Sequence, residues 1–243
     1  MPAVQRGPAI GLLAQLGLLG ALAAAVGLGP PGWVVGIACG AVVTAVLGHG
    51  LARHDADGLG PADRVTLTRA TLACGVAALT ADSFVRPAPV NTLVAITVVA
   101  LLLDWVDGQV ARRTGTMSRI GAQFDMEVDA FLILVLSVFV ARSAGAWVLC
   151  IGLARYTLLA AGRVYPWLRR QSPPRYWNRV VAATQGVVLT VAAADVVPRH
   201  LAGAALVGAV ALLGESFGRQ ICWLYRHRYD DVPSERPATL SPA

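Results

Sequence analysis

The stretch GPAIGLLAQLGLLGALAAAVGLGPPGWVVGIACGAVVTAVLGHGLA, from Gly7 to Ala52, contains no formally charged residue. A hydrated surface cannot be built from such a run, whereas a bilayer core excludes charge. The Gly29-Pro30-Pro31-Gly32 break divides it into two apolar segments, each about the 20 residues that a spanning helix needs. The pattern predicts an N-terminal transmembrane hairpin over residues 1–55. Ala23, Ala24 and Ala25 have the small side chains of a signal-peptide cleavage site, but the apolar run is long and leads straight into a second one. A retained helix is the reading.

The rest of the chain has the same character. Of 243 residues, 56% are hydrophobic and 14% charged, against about 25% charged in a soluble domain; mean hydropathy is +0.62. This excludes a water-soluble enzyme, a disordered chain and, for want of a triplet glycine period, a collagen. Cys39, Cys74, Cys150 and Cys222 are scattered through apolar runs without metal-ligand spacing, and read as small packing residues. All 20 basic residues are Arg. They fall between apolar runs, where positive-inside topology puts them, so the net charge of +6 does not indicate nucleic acid.

Further spans are expected over residues 64–84, 90–111, 119–141, 144–165, 179–196 and 201–224, separated by Pro87-Ala88-Pro89, an Arg-rich segment over 163–179, and Pro198. With a cytoplasmic N-terminus, the cytoplasmic segments hold Arg6, Arg53, Arg112, Arg113, Arg163, Arg169, Arg170, Arg175, Arg226, Arg228 and Arg236. The outer loops hold only Arg86, Arg142 and Arg199. That asymmetry sets the orientation. Residues 229–243, with Pro, Ser, Thr and Glu, read as a disordered cytoplasmic tail.

Carboxylates inside a span are costly, so each is a functional hypothesis. Five lie together at the cytoplasmic end of one expected span and the start of the next: Asp104, Asp107, Asp125, Glu127 and Asp129. Asp104 and Asp107 are helical i,i+3 neighbours, and Asp125 and Asp129 are i,i+4 neighbours, so each pair projects from one face. Two such faces turned together make a four-carboxylate cluster, which needs compensating charge in a low-dielectric cavity. Oxygen-only ligands select hard ions such as Mg²⁺ or Mn²⁺, and Mg²⁺ completes its shell with water and substrate phosphate. The pattern therefore suggests a phosphorylated substrate. Glu127 lies about 200° around the helix from Asp125 and is expected to face elsewhere.

Small residues between the acids fit that reading. Gly108 leaves backbone open to a phosphate, and Gly121 with Ala122 lets two helices approach closely. Arg112, about a turn beyond Asp107, has two readings: a planar fork for a phosphate or acidic partner, or a positive-inside anchor such as Arg113.

Asp104-Trp-Val-Asp107-Gly108-Gln-Val-Ala111-Arg112, then eight residues, then Gly121-Ala-Gln-Phe-Asp125-Met-Glu-Val-Asp129, fits D-x-x-D-G-x-x-A-R-x8-G-x-x-x-D-x-x-x-D without a gap. It resembles the signature of the CDP-alcohol phosphotransferase (CDP-alcohol phosphatidyltransferase) family. The resemblance implies an all-α, polytopic membrane helical bundle whose six-helix core, here residues 56–228, follows the N-terminal hairpin. It implies an integral membrane transferase that moves a phosphatidyl group from a CDP-linked lipid, usually CDP-diacylglycerol, to a small polar alcohol with release of CMP. By carry-over, Asp104, Asp107, Asp125 and Asp129 hold a binuclear Mg²⁺ or Mn²⁺ site, and Asp129 is also the general base on the acceptor hydroxyl. Gly108, Ala111, Arg112 and Gly121 line the cytidine diphosphate pocket. The expected location is the plasma membrane, with the active site facing the cytoplasm, and the family makes a homodimer plausible.

A second similarity lies upstream, where the family often has N-x-x-T-x-x-R in its first core helix. Thr66 and Arg69 fit, and Thr66 is carried over to the nucleotide pocket; Asp63 replaces the Asn and reads equally as a helix N-cap. Arg69 has the alternative of pairing with one of the motif acids. On the acceptor side, Arg155 lies midway along its span and is expected to face the interior, either on an acceptor phosphate or paired with an acid such as Glu215. Glu215 and Arg219 also stand i,i+4 to each other. Arg169, Arg170, Arg175 and Arg179, followed by Thr184-Gln185, resemble the basic segment of relatives that use phosphorylated acceptors, and positive-inside statistics explain the same arginines without a ligand.

Two other classes compete. An aspartate-rich intramembrane prenyltransferase also binds a diphosphate through Mg²⁺, but with longer spacing between acids. A divalent-cation transporter places acids near the bilayer midplane on several helices, whereas these gather near one membrane face.

Overall fold

The computed structural model describes residues 6–53, 61–114, 119–169 and 176–227. The described residues form eight α-helices and no strand: α1 Arg6–Val26, α2 Pro30–Arg53, α3 Pro61–Asp82, α4 Val90–Thr114, α5 Arg119–Ala144, α6 Leu149–Val164, α7 Tyr176–Ala194 and α8 Arg199–Arg226. The breaks follow local chemistry. Gly27, at φ 70°, ends α1 in the left-handed conformation common just past a helix. Gly145, at φ 103°, ends α5 three residues beyond the expected 119–141 span and just inside the expected 144–165 one, and a short 3-10 turn, Ala146–Val148, leads into α6. Pro30, Pro61 and Pro198 stand at helix starts, where the missing N–H costs nothing. Asp63 falls inside the first turn of α3 rather than at its cap; its side chain, like residues 229–243, lies outside the described residues.

The helix α3 is the centre of the bundle. It packs against α1, α2, α4 and α5, while α5 also meets α6 and α7, and α8 closes on α7 and α6. Ala70, Ala73, Ala77 and Ala78 are all buried on α3, and small side chains of this kind let neighbouring backbones come close. Gly152 of α6 faces α5 so closely that a Cβ would lie 2.6 Å from the Leu134 Cα. Polar side chains join helices as well: the buried Gln15 amide donates to the Gly36 carbonyl at 3.3 Å, and Gln185 to that of Ala209 at 2.8 Å.

The N-terminal hairpin is fastened to the core at its loop. The Gly29 N–H donates to Asp82 Oδ1 at 3.1 Å, and Arg86 donates to the Gly27 carbonyl. At the same end Arg142 donates to Ser83 Oγ at 2.5 Å and lies 5.2 Å from the centre of the Phe84 ring. Two of the three arginines assigned to the outer loops are thus held by local partners.

Leu13, Val42, Leu102, Val164, Val196 and Val207 are exposed, and an outer surface this apolar suits lipid better than water. Among the described residues, two helical segments are long and apolar enough to cross a membrane on length and composition alone, Ala146–Val164 and Arg199–Arg226. Shorter apolar stretches occupy Gly11–Val26, Pro30–Val46 and Val90–Val106. The helix α5 falls short because it carries Arg119, Asp125, Glu127, Asp129 and Arg142. All four cysteines are free; Cys74 is buried and Cys39 partly so, but Cys150 and Cys222 are exposed, so the packing role expected of all four does not extend to these two.

Candidate metal centre and active site

The site is built where α3, α4 and α5 meet. Asp104 lies in the second half of α4, and Asp125 and Asp129 are one turn apart near the start of α5. One carboxylate oxygen from each lies within 4.8 Å of the others. Arg69 of α3 stands among them. Its Nη1 donates to Asp125, and its Nη2 donates to Asp129 and reaches Asp104 Oδ1 at 2.9 Å. Its Nε–H donates to the Ala100 carbonyl at 3.3 Å, one turn before Asp104.

Exposure separates the two charge types. The Arg69 side chain is 1% exposed, while those of Asp104, Asp125 and Asp129 are 39%, 35% and 34% exposed. The cation is sealed into the bundle and the acids open on one side. Three carboxylates against one guanidinium leave two negative charges unbalanced, the charge of one divalent cation, before Asp107 is counted. Hard oxygen donors, close convergence and an accessible side suit Mg²⁺ or Mn²⁺. The residues present fit that group.

Other site residues expected from the sequence take places around this centre. Thr66 is buried on α3, one turn before Arg69, and Gly121 is half-buried on α5, one turn before Asp125. Asp107, Gly108, Ala111 and Arg112 are carried by the final turns of α4, and their side chains lie outside the described residues. Glu127 does face away from the cluster, and its partner is Arg155 of α6, with Nη2 2.5 Å from Oε1 and Nε 3.4 Å from Oε2. Arg155 therefore takes an acid one helix away rather than Glu215. Glu215 instead pairs with Arg219 and accepts from Trp177 Nε1 at 2.8 Å. The Gln185 amide nitrogen joins α7 to α8 and Thr184 bonds back to the Val180 carbonyl, while residues 170–175 lie outside the described residues.

What sequence reasoning left open was Arg69. Pairing with one acid was an alternative; the structure joins it to three. The available signal was an arginine inside a span, which must find compensation within the bundle.

Glu127→Gln is expected to destabilise the bundle by about 2 kcal/mol or more, since it leaves Arg155, inside its expected span, without its acid partner. Its Mn²⁺ affinity, followed by titration, should equal that of the unmodified protein. A large loss would place Glu127 in the metal shell.

The described residues thus form an all-α bundle with an apolar exterior and an oxygen-rich, acid-lined centre at one end. The family model for CDP-alcohol phosphatidyltransferase matches residues 59–214, and the chain belongs to that family. Membership carries with it a phosphotransferase of membrane lipid synthesis, and it displaces the prenyltransferase and transporter readings. The match begins after α2, so the hairpin lies outside it. No curated protein and no solved structure matches the chain.

Proposed function

We propose that the protein transfers the phosphatidyl group of CDP-diacylglycerol to a small polar alcohol, releasing CMP, at the cytoplasmic face of the plasma membrane. The observation that carries this reading is the convergence of Asp104, Asp125 and Asp129 from two helices around the buried Arg69, within the region matched by the family. The division into hairpin 1–55, core 56–228 and tail 229–243, the multi-pass topology and a homodimeric assembly belong to the same proposal. Arginine asymmetry supports the orientation.

Asp104, Asp107, Asp125 and Asp129 would hold the divalent pair, Mg²⁺ or Mn²⁺, which when bound neutralises the diphosphate and favours departure of CMP. Thr66, Gly108, Ala111, Arg112 and Gly121 would position the cytidine diphosphate. Asp129 accepts the proton of the acceptor hydroxyl as that oxygen bonds to the phosphorus bearing the diacylglycerol. The bond from this phosphorus to the bridging oxygen breaks, and its electron pair leaves with CMP. The acyl chains stay in the bilayer, so only the headgroup needs a polar site.

Incubation of the purified protein with CDP-diacylglycerol, Mg²⁺ or Mn²⁺ and a panel of polar alcohols, phosphorylated ones included, tests this. CMP should appear with the right acceptor and disappear when EDTA removes the ion. Metal flux into liposomes with no CMP from any acceptor would sink the proposal.

A further inference from the structure

We propose that Arg69 is the resident counter-cation of the acidic cluster and sets its affinity for the divalent ion. The inference rests on reading the cluster as a metal site. A metal shell gains from every carboxylate that is free to give it charge, yet here one guanidinium engages Asp104, Asp125 and Asp129 together. Arg69 and a divalent ion would draw on the same three side chains, and two cations drawn to one cluster repel.

The arrangement is held from behind. Arg69 is 1% exposed and its Nε–H is fastened to the Ala100 carbonyl, so the fork has an anchor independent of the acids. Its planar geometry lets separate N–H groups serve separate carboxylates, which a lysine ammonium on a flexible stem does not reproduce. Arginine stays protonated at any working pH. The counter-charge is therefore permanent, and it lowers metal affinity while stabilising the bundle in the absence of a bound ion: the acids are never left to repel one another across α4 and α5.

The test is Mn²⁺ binding to the full chain in detergent, by titration calorimetry or the Mn²⁺ paramagnetic signal, with thermal midpoints read with and without the ion. Arg69→Gln should bind Mn²⁺ at least ~10-fold more tightly, because a neighbouring cation has been removed from a low-dielectric site. Its midpoint after metal removal should fall below that of the unmodified protein, and Mn²⁺ should raise it by more. If Arg69→Gln does not accumulate, Arg69→Met, which also removes the charge and keeps an unbranched side chain in the buried position, should show the same tightening of about 10-fold. Unmodified protein that binds Mn²⁺, with variants binding it no tighter, would overturn the inference and leave the metal site standing. No Mn²⁺ binding to the unmodified protein would overturn the metal reading itself, and this inference with it.

Discussion

Asp129→Asn is expected to reduce CMP release by about 10²–10⁴-fold, the range a positioned general base contributes. The fold should survive. Asn has nearly the same shape, and its carbonyl oxygen still accepts from Arg69 Nη2, the hydrogen bond that ties α5 to α3 at this point. What is lost is the basic oxygen and a negative charge. Asp129 is assigned two tasks, ligand and base, and these respond differently to added ion. If saturating Mn²⁺ leaves the rate low, the proton-accepting role stands; if it restores the rate, Asp129 acts only as a ligand and the base lies elsewhere. The thermal midpoint should stay near that of the unmodified protein.

Gly152→Val is expected to destabilise the bundle by about 3 kcal/mol or more, at or above the upper end for overpacking a tight interior. A Cβ there would lie 2.6 Å from the Leu134 Cα and 3.0 Å from Ser137 Oγ. The nearest obstacle is backbone and cannot rotate aside, so α6 must move away from α5. That displacement would separate Arg155 of α6 from Glu127 of α5. Gly208→Val is the control, since nothing lies within 4 Å of its Cβ position. It should change the midpoint little, whereas Gly152→Val should lower it by several degrees in a thermal denaturation series in detergent. Equal midpoints for the two would show that α5 and α6 do not make this close contact.

Most of the helix pattern was legible because its signals are local. Proline, glycine and the ends of apolar runs act through the backbone of one or a few residues, and the helix boundaries fall at the Gly29-Pro30 break, at Pro87-Ala88-Pro89 and at Pro198, as expected. Pairs on one helix were legible too, since spacing of three or four residues decides them: Asp125 with Asp129, Glu215 with Arg219, and Glu127 turned away from both acids. Pairs between helices were harder. Arg155 was expected on an acceptor phosphate or on an acid such as Glu215; it does pair with an acid, but that acid is Glu127. Spacing states which face of a helix a residue occupies, not which other helix meets that face. Gln185 shows the same limit: a residue read toward the acceptor is 1% exposed and committed to the Ala209 carbonyl.

The sequence by itself determined the apolar, all-α character of the chain, the number of helices among the described residues, the family signature and the acids that gather at one centre, because hydropathy, turn residues and i,i+4 spacing act over short distances. Only the tertiary structure decided that α3 sits at the centre and brings Arg69 to three carboxylates from α4 and α5. Burial there leaves the guanidinium no water, so it must be satisfied by whatever the packing places within reach, and packing depends on side chains more than thirty residues away in the chain.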